Sequence, residues 1–457
     1  MDPPMKLRLL TTSSSVVLGC LTLTLAVACD ASESSFGSGG TTSSTGGSTA
    51  STGGSPGTTG TGTGTGTGTS TGGVVSTGGT TSGPVMKAPS TYTFNTAGAK
   101  YPFPQGHAFP SCTFPAYNTD SIASAYTTWK ARFVAGGRVV RPENANDTVS
   151  EGIAYGMLIG VYMNDKPMFD QLWSYAKAHF DGNGLMNWRI DASGGTVGAG
   201  SATDADEDMA WALAMASVQW GGSYAADATT LLNNIWAHEV EAGSLVLKPG
   251  DNFGGSSQTN PSYFTPSYYK TFSKFSNQNW AGLTSKSYEI LAAASGSYGL
   301  VPNWVNSSGA GMNGPNNDTN GPYFGYDAAR TPFRIALDYC QTGDPKAKAY
   351  LDKILGFYGG LVTNSVSPIK DGYTTTGTNP PGTLGDYSSG MVFWGPAGVA
   401  ALAGGQTALL TASHQSLVYD TTNSVALNNK DIYNYFQASW GVLSLLAMSG
   451  NYWDMTQ

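Results

Sequence analysis

The sequence predicts an all-α fold, a toroid or barrel built from helix hairpins, and three observations indicate this class. Apolar residues recur at the helical spacing of three and four along most of the chain after residue 88. Sustained alternation of apolar and polar residues, which marks a half-buried strand, is rare. Loops rich in Gly, Asn and Pro separate about a dozen helical segments that follow one another in pairs. The length of 457 residues suits one large helical barrel.

Each helix is predicted from its own apolar stripe. The predicted helices cover residues 121–134, 152–162, 168–180, 206–220, 227–242, 285–294, 327–340, 345–358, 390–402 and 431–448. The connections between them are long, and long loops in a compact domain are usually functional. We therefore expect the loops to contribute to a site.

Residues 1–29 have the three parts of an export signal. Lys6 and Arg8 precede an apolar stretch over 16–27, and small residues follow before Cys29. The stretch LAVAC resembles a bacterial lipoprotein box, in which Cys29 would carry lipid. Simple cleavage near Ala28 is the alternative. Both predict an exported protein, extracellular or at the cell surface, whose only membrane contact would be a lipid anchor on Cys29.

Residues 30–87 consist mainly of Gly, Ser and Thr and include the repeat TGTGTGTGT. A segment with so little to bury cannot offset its ordering entropy, which predicts a flexible linker. The globular part of the protein is therefore expected over residues 88–457, separated by this tether from the exported N-terminus.

The composition excludes some classes of partner. A net charge of −8 and a pI near 4.9 leave no basic surface for nucleic acid. The His residues are few and no His/Cys spacing matches a metal site, so we expect no metal and no cofactor. Beyond the signal, Cys112 and Cys340 would form one disulfide in an oxidising compartment or remain two buried thiols. The protein is expected to be a monomer.

Four carboxylates crowd into SATDADEDMAWALAMA, residues 201–216, although only 11% of the chain is charged. A calcium loop of the helix-loop-helix type would need Gly and Glu where Met209 and Met215 stand, so that interpretation fails. Asp204 and Glu207 fit a capping box, and acids suit the positive end of a helix dipole. Capping does not explain all four acids, because neighbouring carboxylates repel each other.

Two further acids begin apolar helices. Glu151 stands in VSEGIAYGM, where apolar neighbours would raise its pKa and keep it protonated as a general acid; a plain helix N-terminal charge is the alternative. Asp327 stands in YFGYDAARTPFR, beside Tyr326 and three residues before Arg330. That pattern suits either a surface ion pair or a sugar site with aromatic platforms. Three acids at helix starts would converge at one end of a helical barrel.

These segments resemble glycoside hydrolase family 8. ATDADEDMAWALAMASVQW, residues 202–220, is similar to the family signature along its full length. TVSEGIAYGM, GLMNWRID, NPSYFTPSYY and YDAARTPFR also resemble family segments, in the family's order. The resemblance covers essentially everything after the linker, so residues 88–457 would be a catalytic domain. It implies an (α/α)6 barrel with inverting endo-glycanase activity.

The resemblance also implies roles for individual residues. Glu151 matches the general acid, Asp327 the general base, and Asp204 the acid that contacts the distorted sugar at the scission point. Inversion would need the two working carboxyls to be roughly 6.5–9.5 Å apart, with room for a water molecule. The positions expected to contact sugar are Trp188, Tyr263, Tyr326, Arg330 and Phe253, the last standing where the family would place Trp.

The implied substrate is a β-1,4-linked polysaccharide, and the segment RVVRPENANDTVSEG favours the cellulase branch of the family. Xylan is the alternative, with mixed-linkage glucan or chitosan behind it. A non-catalytic carbohydrate-binding surface lipoprotein would have lost one of the acids. Within residues 201–216, we expect Asp204 in the cleft, Glu207 and Asp208 as caps or solvent-facing groups, and Asp206 orienting its neighbours.

Overall fold

The computed structural model describes residues 98–115, 117–386, 389–422 and 433–457. The predicted signal with Cys29, the linker 30–87 and the first two positions of the last predicted helix lie outside these residues. Within the described ranges, no helix combines the length and apolar character needed to cross a membrane.

The described residues contain twelve α-helices and five strands of two or three residues. The helices are α1 Thr119–Phe133, α2 Ser150–Tyr162, α3 Lys166–Ala178, α4 Thr203–Gln219, α5 Tyr224–Glu239, α6 Pro266–Phe272, α7 Trp280–Ala294, α8 Thr331–Thr342, α9 Pro345–Leu361, α10 Met391–Gly404, α11 Thr407–Thr422 and α12 Tyr435–Met448. The strands are β1 Val134–Ala135, β2 Arg138–Val139, β3 Thr148–Val149, β4 Arg189–Ile190 and β5 Thr196–Gly198. β1 pairs with β2, and β3, β4 and β5 form a small antiparallel sheet in that order.

The even-numbered helices form a closed inner ring. α2 packs on α4, α4 on α6, α6 on α8, α8 on α10, α10 on α12, and α12 returns to α2. Every residue of α2 and α12 is buried, as expected for helices that are apolar all round. Each odd-numbered helix packs outside this ring against an inner neighbour. The architecture is the (α/α)6 barrel, which confirms the predicted fold class.

Close approach between the two rings requires a glycine on α2. A Cβ atom at Gly156 would lie 2.6 Å from Leu172 Cδ1 on α3 and 2.9 Å from Val139 Cγ2 on β2. Both distances are shorter than real carbon contacts, so a larger residue would force α2 away from its neighbours. Gly156 therefore lets α2 sit tightly against the outer layer.

Ten of the twelve helices were predicted, with ends shifted by a few residues, and α6 and α11 were not. The seven residues of α6, PSYYKTF, are too few to show a periodic stripe. In α11 the buried side includes Ser413, Asp420 and Thr421, so polarity does not separate its inner face from its outer face. Packing in the barrel, more than the local pattern, stabilises both helices.

Cys112 and Cys340 are joined by a disulfide, with their Cα atoms 4.9 Å apart. The first of the two sequence alternatives is therefore the observed one. The bond attaches the segment before α1 to α8 of the inner ring, and the Ser111 N–H donates to the Cys340 carbonyl at 3.3 Å beside it.

The ring places the N-terminal ends of the inner helices at one mouth of the barrel, because successive hairpins make the even-numbered helices run in the same direction. Glu151 is the second residue of α2 and Asp204 the second residue of α4. Arg330 immediately precedes α8, and Tyr435 is the first residue of α12. Residues far apart in the sequence thus meet at this mouth.

Candidate active site

The Arg330 guanidinium contacts all three acids that the sequence singled out. Nη1 donates to Glu151 Oε2 at 3.1 Å and to Asp204 Oδ2 at 2.6 Å. Nη2 donates to Asp327 Oδ1 at 2.9 Å. The side chains of Arg330, Glu151 and Asp204 are all at most 2% exposed. The three predicted acids therefore form one site around a single buried cation.

Further contacts fix the orientation of Arg330. Nη1 also donates to the Tyr155 hydroxyl at 3.3 Å, and Nη2 donates to Ser262 Oγ at 2.9 Å. The guanidinium lies over the Tyr263 ring, 5.3 Å from its centroid. A planar fork with this many partners holds its carboxylates in a defined geometry. The surface ion-pair interpretation of Asp327 and Arg330 is wrong, because the Arg330 side chain is completely buried.

Glu151 is held in a protonated state at neutral pH. Burial raises its pKa to about 8, and the negative charges of Asp204 and Asp327 act in the same direction, against the opposing effect of Arg330. The Tyr435 hydroxyl donates to Glu151 Oε1 at 3.0 Å and also opposes the rise. A carboxyl group with this pKa can supply a proton at neutral pH.

Asp327 sits in a more open position than Glu151, with 13% of its side chain exposed against 2%. It immediately precedes a single 3-10 turn, Ala328–Arg330, which leads into α8. Asn303 fixes this junction, because its Oδ1 accepts from the Gly325 N–H at 3.1 Å and the Ala328 N–H at 2.9 Å. Asp327 therefore has access to solvent from a rigid backbone.

One guanidinium bridges Glu151 and Asp327. Nη1 of Arg330 binds the Glu151 carboxyl group and Nη2 binds Asp327, so the two acids meet the same cation through different nitrogens. Cleavage of a bond by water needs an acid and a base that both reach the bond, with a water molecule beside the base. Asp327, the more exposed of the two acids, has access to solvent for that water.

Three of the predicted sugar-contacting aromatics are neighbours of Arg330 or of the acids, in space or along the chain. Tyr263 lies under Arg330, with Trp304 against its edge at 6.4 Å between ring centroids. Tyr326 is half-buried and meets the Phe393 ring edge-on at 5.2 Å. Trp188 is joined to the start of α2, since its carbonyl accepts from the Ser150 N–H at 2.9 Å.

The Trp188 indole is covered on one face and keeps its N–H unused. A Cβ atom at Gly198 on β5 would lie 2.3 Å from Trp188 Cε2, so the bare glycine backbone packs against the ring. The buried Nε1 of Trp188 has no hydrogen-bond partner in the part of the chain that the structure describes. A buried N–H without a partner is unfavourable by itself, so packing around the ring must hold Trp188 in place.

Phe253 lies further from this group. It is half-buried and forms a bridge with Gly250, whose backbone packs against Ser201 just before α4. No hydrogen bond or ring contact of the described residues joins Phe253 to Arg330 or to the three acids. The structure therefore places Phe253 beside the start of α4 and does not bring it into the central cluster.

The expectation that Glu207 and Asp208 cap α4 or face solvent is wrong. Both are at most 1% exposed. Asp208 accepts from Arg334 Nη1 at 2.5 Å and Nη2 at 2.9 Å, while Glu207 accepts from Thr265 Oγ1 at 3.2 Å. α4 is an inner helix, and neighbours surround it on all sides. Its N-cap is Ala202, with no side-chain capping bond, so the capping-box interpretation fails as well.

Sequence reasoning did not single out Tyr155, Ser262, Tyr435 or Arg334. Tyr155 had a signal, because it follows Glu151 by four residues and so shares its helix face. Tyr435 gave none, since it lies in a stretch without a distinctive motif and reaches Glu151 only when the ring closes.

The described residues contain no group of three or more His, Cys, Asp or Glu side chains that could hold a metal ion. The positive charge at the centre of the acids is instead supplied by Arg330. The arrangement contains a proton donor, a solvent-accessible carboxylate and a fixed cation between them. Such a set is suited to acid–base cleavage of a polar bond by water.

Comparison with known proteins identifies relatives of the whole barrel. The sequence profile described as "Glycosyl hydrolases family 8" matches residues 102–450. The chain is similar to Endoglucanase A of Acetivibrio thermocellus, at 38% identity over 353 residues, 73% of this chain and 70% of the relative. It is also similar to Endoglucanase 2 of Ruminiclostridium josui, at 36% identity over 385 residues, 79% of each chain. The solved beta-1,3-1,4-glucanase from Paenibacillus sp. X4 matches with a TM-score of 0.68 and 29% identity, covering 77% of this chain and 99% of that one.

Proposed function

The chain belongs to glycosyl hydrolases family 8, and from this membership we propose that it is an exported, inverting endo-β-1,4-glucanase acting on cellulose-type β-glucan. The observation that carries the mechanism is the convergence of Glu151, Asp204 and Asp327 on Arg330. The choice of glucan is supported by the two similar proteins named Endoglucanase A and Endoglucanase 2.

Glu151 acts as the general acid. Its raised pKa, about 8, keeps the proton on the carboxyl group when substrate binds near neutral pH. In the reaction the proton passes to the glycosidic oxygen, and the bond from that oxygen to the anomeric carbon breaks. The carboxylate left behind is stabilised at once by Arg330 and the Tyr435 hydroxyl.

Asp327 acts as the general base. Its carboxylate takes a proton from a water molecule while the water oxygen bonds to the anomeric carbon from the face opposite the leaving group. One displacement of this kind inverts the configuration at that carbon. The greater exposure of Asp327 supports this role, because the water must reach it from solvent.

Asp204 and Arg330 act on the sugar ring at the scission point. Asp204 is ion-paired with Arg330 at 2.6 Å, so its position is fixed before substrate arrives. A fixed carboxylate beside the anomeric centre stabilises the positive charge of an oxocarbenium-like transition state. Asp204 forms no covalent bond in this mechanism, since a nucleophile would give retention.

The activity test compares two polymers. Release of reducing ends from carboxymethylcellulose, with a rapid fall in viscosity, is expected from an endo-glucanase. Release from xylan alone would replace the glucan assignment with the xylanase alternative. Release from neither polymer would contradict the hydrolase proposal. Proton NMR of the first product should show the α-anomer, and a β-anomer appearing first would exclude inversion.

The role of Glu151 is tested by Glu151→Gln. The amide has no acidic proton, and general acid catalysis is worth about 10²–10⁴ in rate, so cellulose hydrolysis should fall by that factor or more. An aryl glycoside with a good leaving group needs little protonation and should be affected far less. Glu289→Gln, on the outer surface, is the matched control. Equal losses on both substrates would refute the acid role.

Export and lipidation form a separate part of the proposal. The support is the arrangement of Lys6, Arg8, the apolar stretch 16–27 and Cys29. In a bacterial host, the full chain should label with a radioactive fatty acid, and Cys29→Ser should lose the label. Cys20→Ser is the matched control. An unlabelled but secreted wild type would favour simple cleavage near Ala28.

A further inference from the structure

Asp206 on α4 and Glu239, the last residue of α5, are two acids outside the Arg330 site, and both are 0% exposed. Asp206 Oδ1 accepts from the Met186 N–H at 3.4 Å, and Glu239 Oε1 accepts from Ser201 Oγ at 2.6 Å. Their other oxygens, Asp206 Oδ2 and Glu239 Oε2, have no conventional donor among the described residues. The two carboxyl groups lie close enough to act on each other's pKa, and Thr203 also acts on that of Glu239. A proton on one of the two acids would give both orphan oxygens a partner.

The ionisable groups that face this pair are acidic. Asp181 approaches from the loop before β4, Asp251 from the loop after α5, and Glu207 from α4 itself. The neighbouring cation, Lys248, donates to the backbone carbonyls of His238 and Asp251. Among the ion pairs of the described residues, none includes Asp206 or Glu239.

Without a compensating cation, two buried carboxylates in contact cannot both ionise at small cost. Burial raises the pKa of Asp206 well above its usual value and that of Glu239 to about 8. The pair therefore retains a proton at neutral pH. That proton joins α4 to α5, because the two acids lie on different helices.

The same pair is connected to two parts of the active site. Met186, which donates to Asp206, lies two residues before Trp188, and the Trp188 carbonyl accepts from Ser150 beside Glu151. Ser201, which donates to Glu239, leads directly into the first turn of α4. The pair thus lies behind both the Trp188 segment and the helix start that carries Asp204.

We propose that Asp206 and Glu239 are positioning residues, whose shared proton holds the Trp188 segment and the start of α4 in the geometry that binds substrate. Loss of the proton places two unpaired negative charges between α4 and α5. Their repulsion moves the Trp188 segment away from the start of α4. The statement about substrate rests on the proposed function, whereas the shared proton and its effect on local structure do not.

The test uses Glu239→Gln in the full exported chain. The amide has the shape of the acid, donates to Asp206 and accepts from Ser201, and has no proton to lose. Glu241→Gln is the matched control, because Glu241 is two residues away and is bound by Ser244 and Ser256 near the surface. Asp206→Asn repeats the experiment from the other side if Glu239→Gln does not fold.

The first measurement is backbone hydrogen exchange of residues 184–190 between about pH 6 and about pH 10, corrected by the exchange of an unfolded peptide of the same sequence. The wild type and Glu241→Gln should lose protection by up to about tenfold per pH unit above neutrality, the limit for one linked proton. Glu239→Gln should show no such loss. An equal loss of protection with rising pH in all three proteins would overturn the proposal.

The second measurement separates kcat from KM on carboxymethylcellulose. In the wild type, KM should rise several-fold at alkaline pH. In Glu239→Gln, KM should stay constant over the same range. The kcat of both proteins should still fall as Glu151 loses its proton. A KM that rises equally in both proteins would refute the positioning role. Inactivity of the wild type at every pH would refute the proposed function, and hydrogen exchange would then test the shared proton by itself.

Discussion

Tyr435 tunes the proton donor through one hydrogen bond. Its hydroxyl donates to Glu151 Oε1 at 3.0 Å and so favours the ionised carboxylate. Without this donor the pKa of Glu151 rises above its value of about 8. The alkaline limb of activity, which reports the loss of the Glu151 proton in the free enzyme, must then move to higher pH.

The variant Tyr435→Phe should therefore shift the alkaline limb of kcat/KM upward by roughly 0.5–1 pH unit, the equivalent of one hydrogen bond of about 0.5–1.5 kcal/mol. Tyr298→Phe removes a hydroxyl from the exposed surface and serves as the control. Steady-state kinetics over the alkaline range measure both variants. A downward shift would show that Glu151 is not the group that sets this limb.

Arg330 and Arg334 allow catalytic and structural effects to be separated. Both are buried arginines one turn apart, but Arg334 binds Asp208 and contacts none of the three acids of the site. Lysine at either position keeps the charge and loses the planar fork. Both substitutions should lower the melting temperature, because each leaves buried acceptors unpaired.

Only Arg330→Lys should also lower kcat strongly. Loss of charged hydrogen bonds of about 1.5–3 kcal/mol each predicts a fall of about 10²-fold or more. For Arg334→Lys the loss should stay within about tenfold. Thermal unfolding and kcat measured on the same preparations make the comparison, and equal kcat losses would contradict a distinct role for Arg330.

The acids show which side-chain positions a sequence can predict. Glu151, Asp204 and Asp327 were identified because they stand in recognisable segments, and the structure brings them together. Glu207 and Asp208 were misplaced because the surroundings of a side chain on an inner helix depend on neighbours distant in sequence. Arg334, the partner of Asp208, is 126 residues away, and no local pattern connects the two.

At the scale of the elements, predictions succeeded where a helix has its own apolar stripe and failed where it does not. Five of the six inner helices were predicted, and the exception, α6, is the shortest α-helix of the described residues. A short inner helix is specified by the helices on either side of it. Predicting α6 would require knowledge of its neighbours in the ring, and the local sequence pattern does not contain that information.

The Cys112–Cys340 disulfide predicts a large contribution to stability. It joins cysteines 228 residues apart, and in the chain-entropy model a loop of that size is worth about 5 kcal/mol through the unfolded state. The double variant Cys112→Ser/Cys340→Ser should lose an amount of this order in urea unfolding. Activity at moderate temperature should remain, since neither cysteine contacts Arg330 or the acids.

A reductant supplies the control for this experiment. It should destabilise the wild type to the level of the double variant and leave the double variant itself unchanged. If the double variant unfolds at the same urea concentration as the oxidised wild type, the bond does not stabilise the fold in solution.

At the scale of the molecule, ring closure accounts for the site. The even-numbered helices run in one direction, so their N-terminal ends bring Glu151, Asp204, Arg330 and Tyr435 to one mouth. The same closure buries further acids on α4 and α5, and the net charge adds to their effect on stability. The chain carries −8, and the buried carboxyls of Asp206, Glu207, Asp208 and Glu239 all have raised pKa values.

These features predict a protein that is most stable at mildly acidic pH. A carboxyl group with a raised folded-state pKa keeps its proton in the folded chain where the unfolded chain has lost it, so its contribution is complete below the unfolded value and is lost as pH rises towards the folded one. For Glu239 this window runs from about 4.3, the unfolded value, to about 8. The melting temperature should therefore fall steadily from about pH 5 to about pH 9.

The fall in melting temperature with pH has two possible causes, repulsion among surface carboxylates and ionisation of the buried carboxyl groups, and high salt distinguishes them. Repulsion among surface carboxylates is screened at high ionic strength, with a Debye length of about 3 Å at 1 M, whereas groups buried in the barrel are screened much less. Thermal unfolding over the same pH range should thus recover only part of the lost stability in about 1 M NaCl. Complete recovery would assign the slope to the surface, and a melting temperature that rises with pH would contradict the buried carboxyls as its cause.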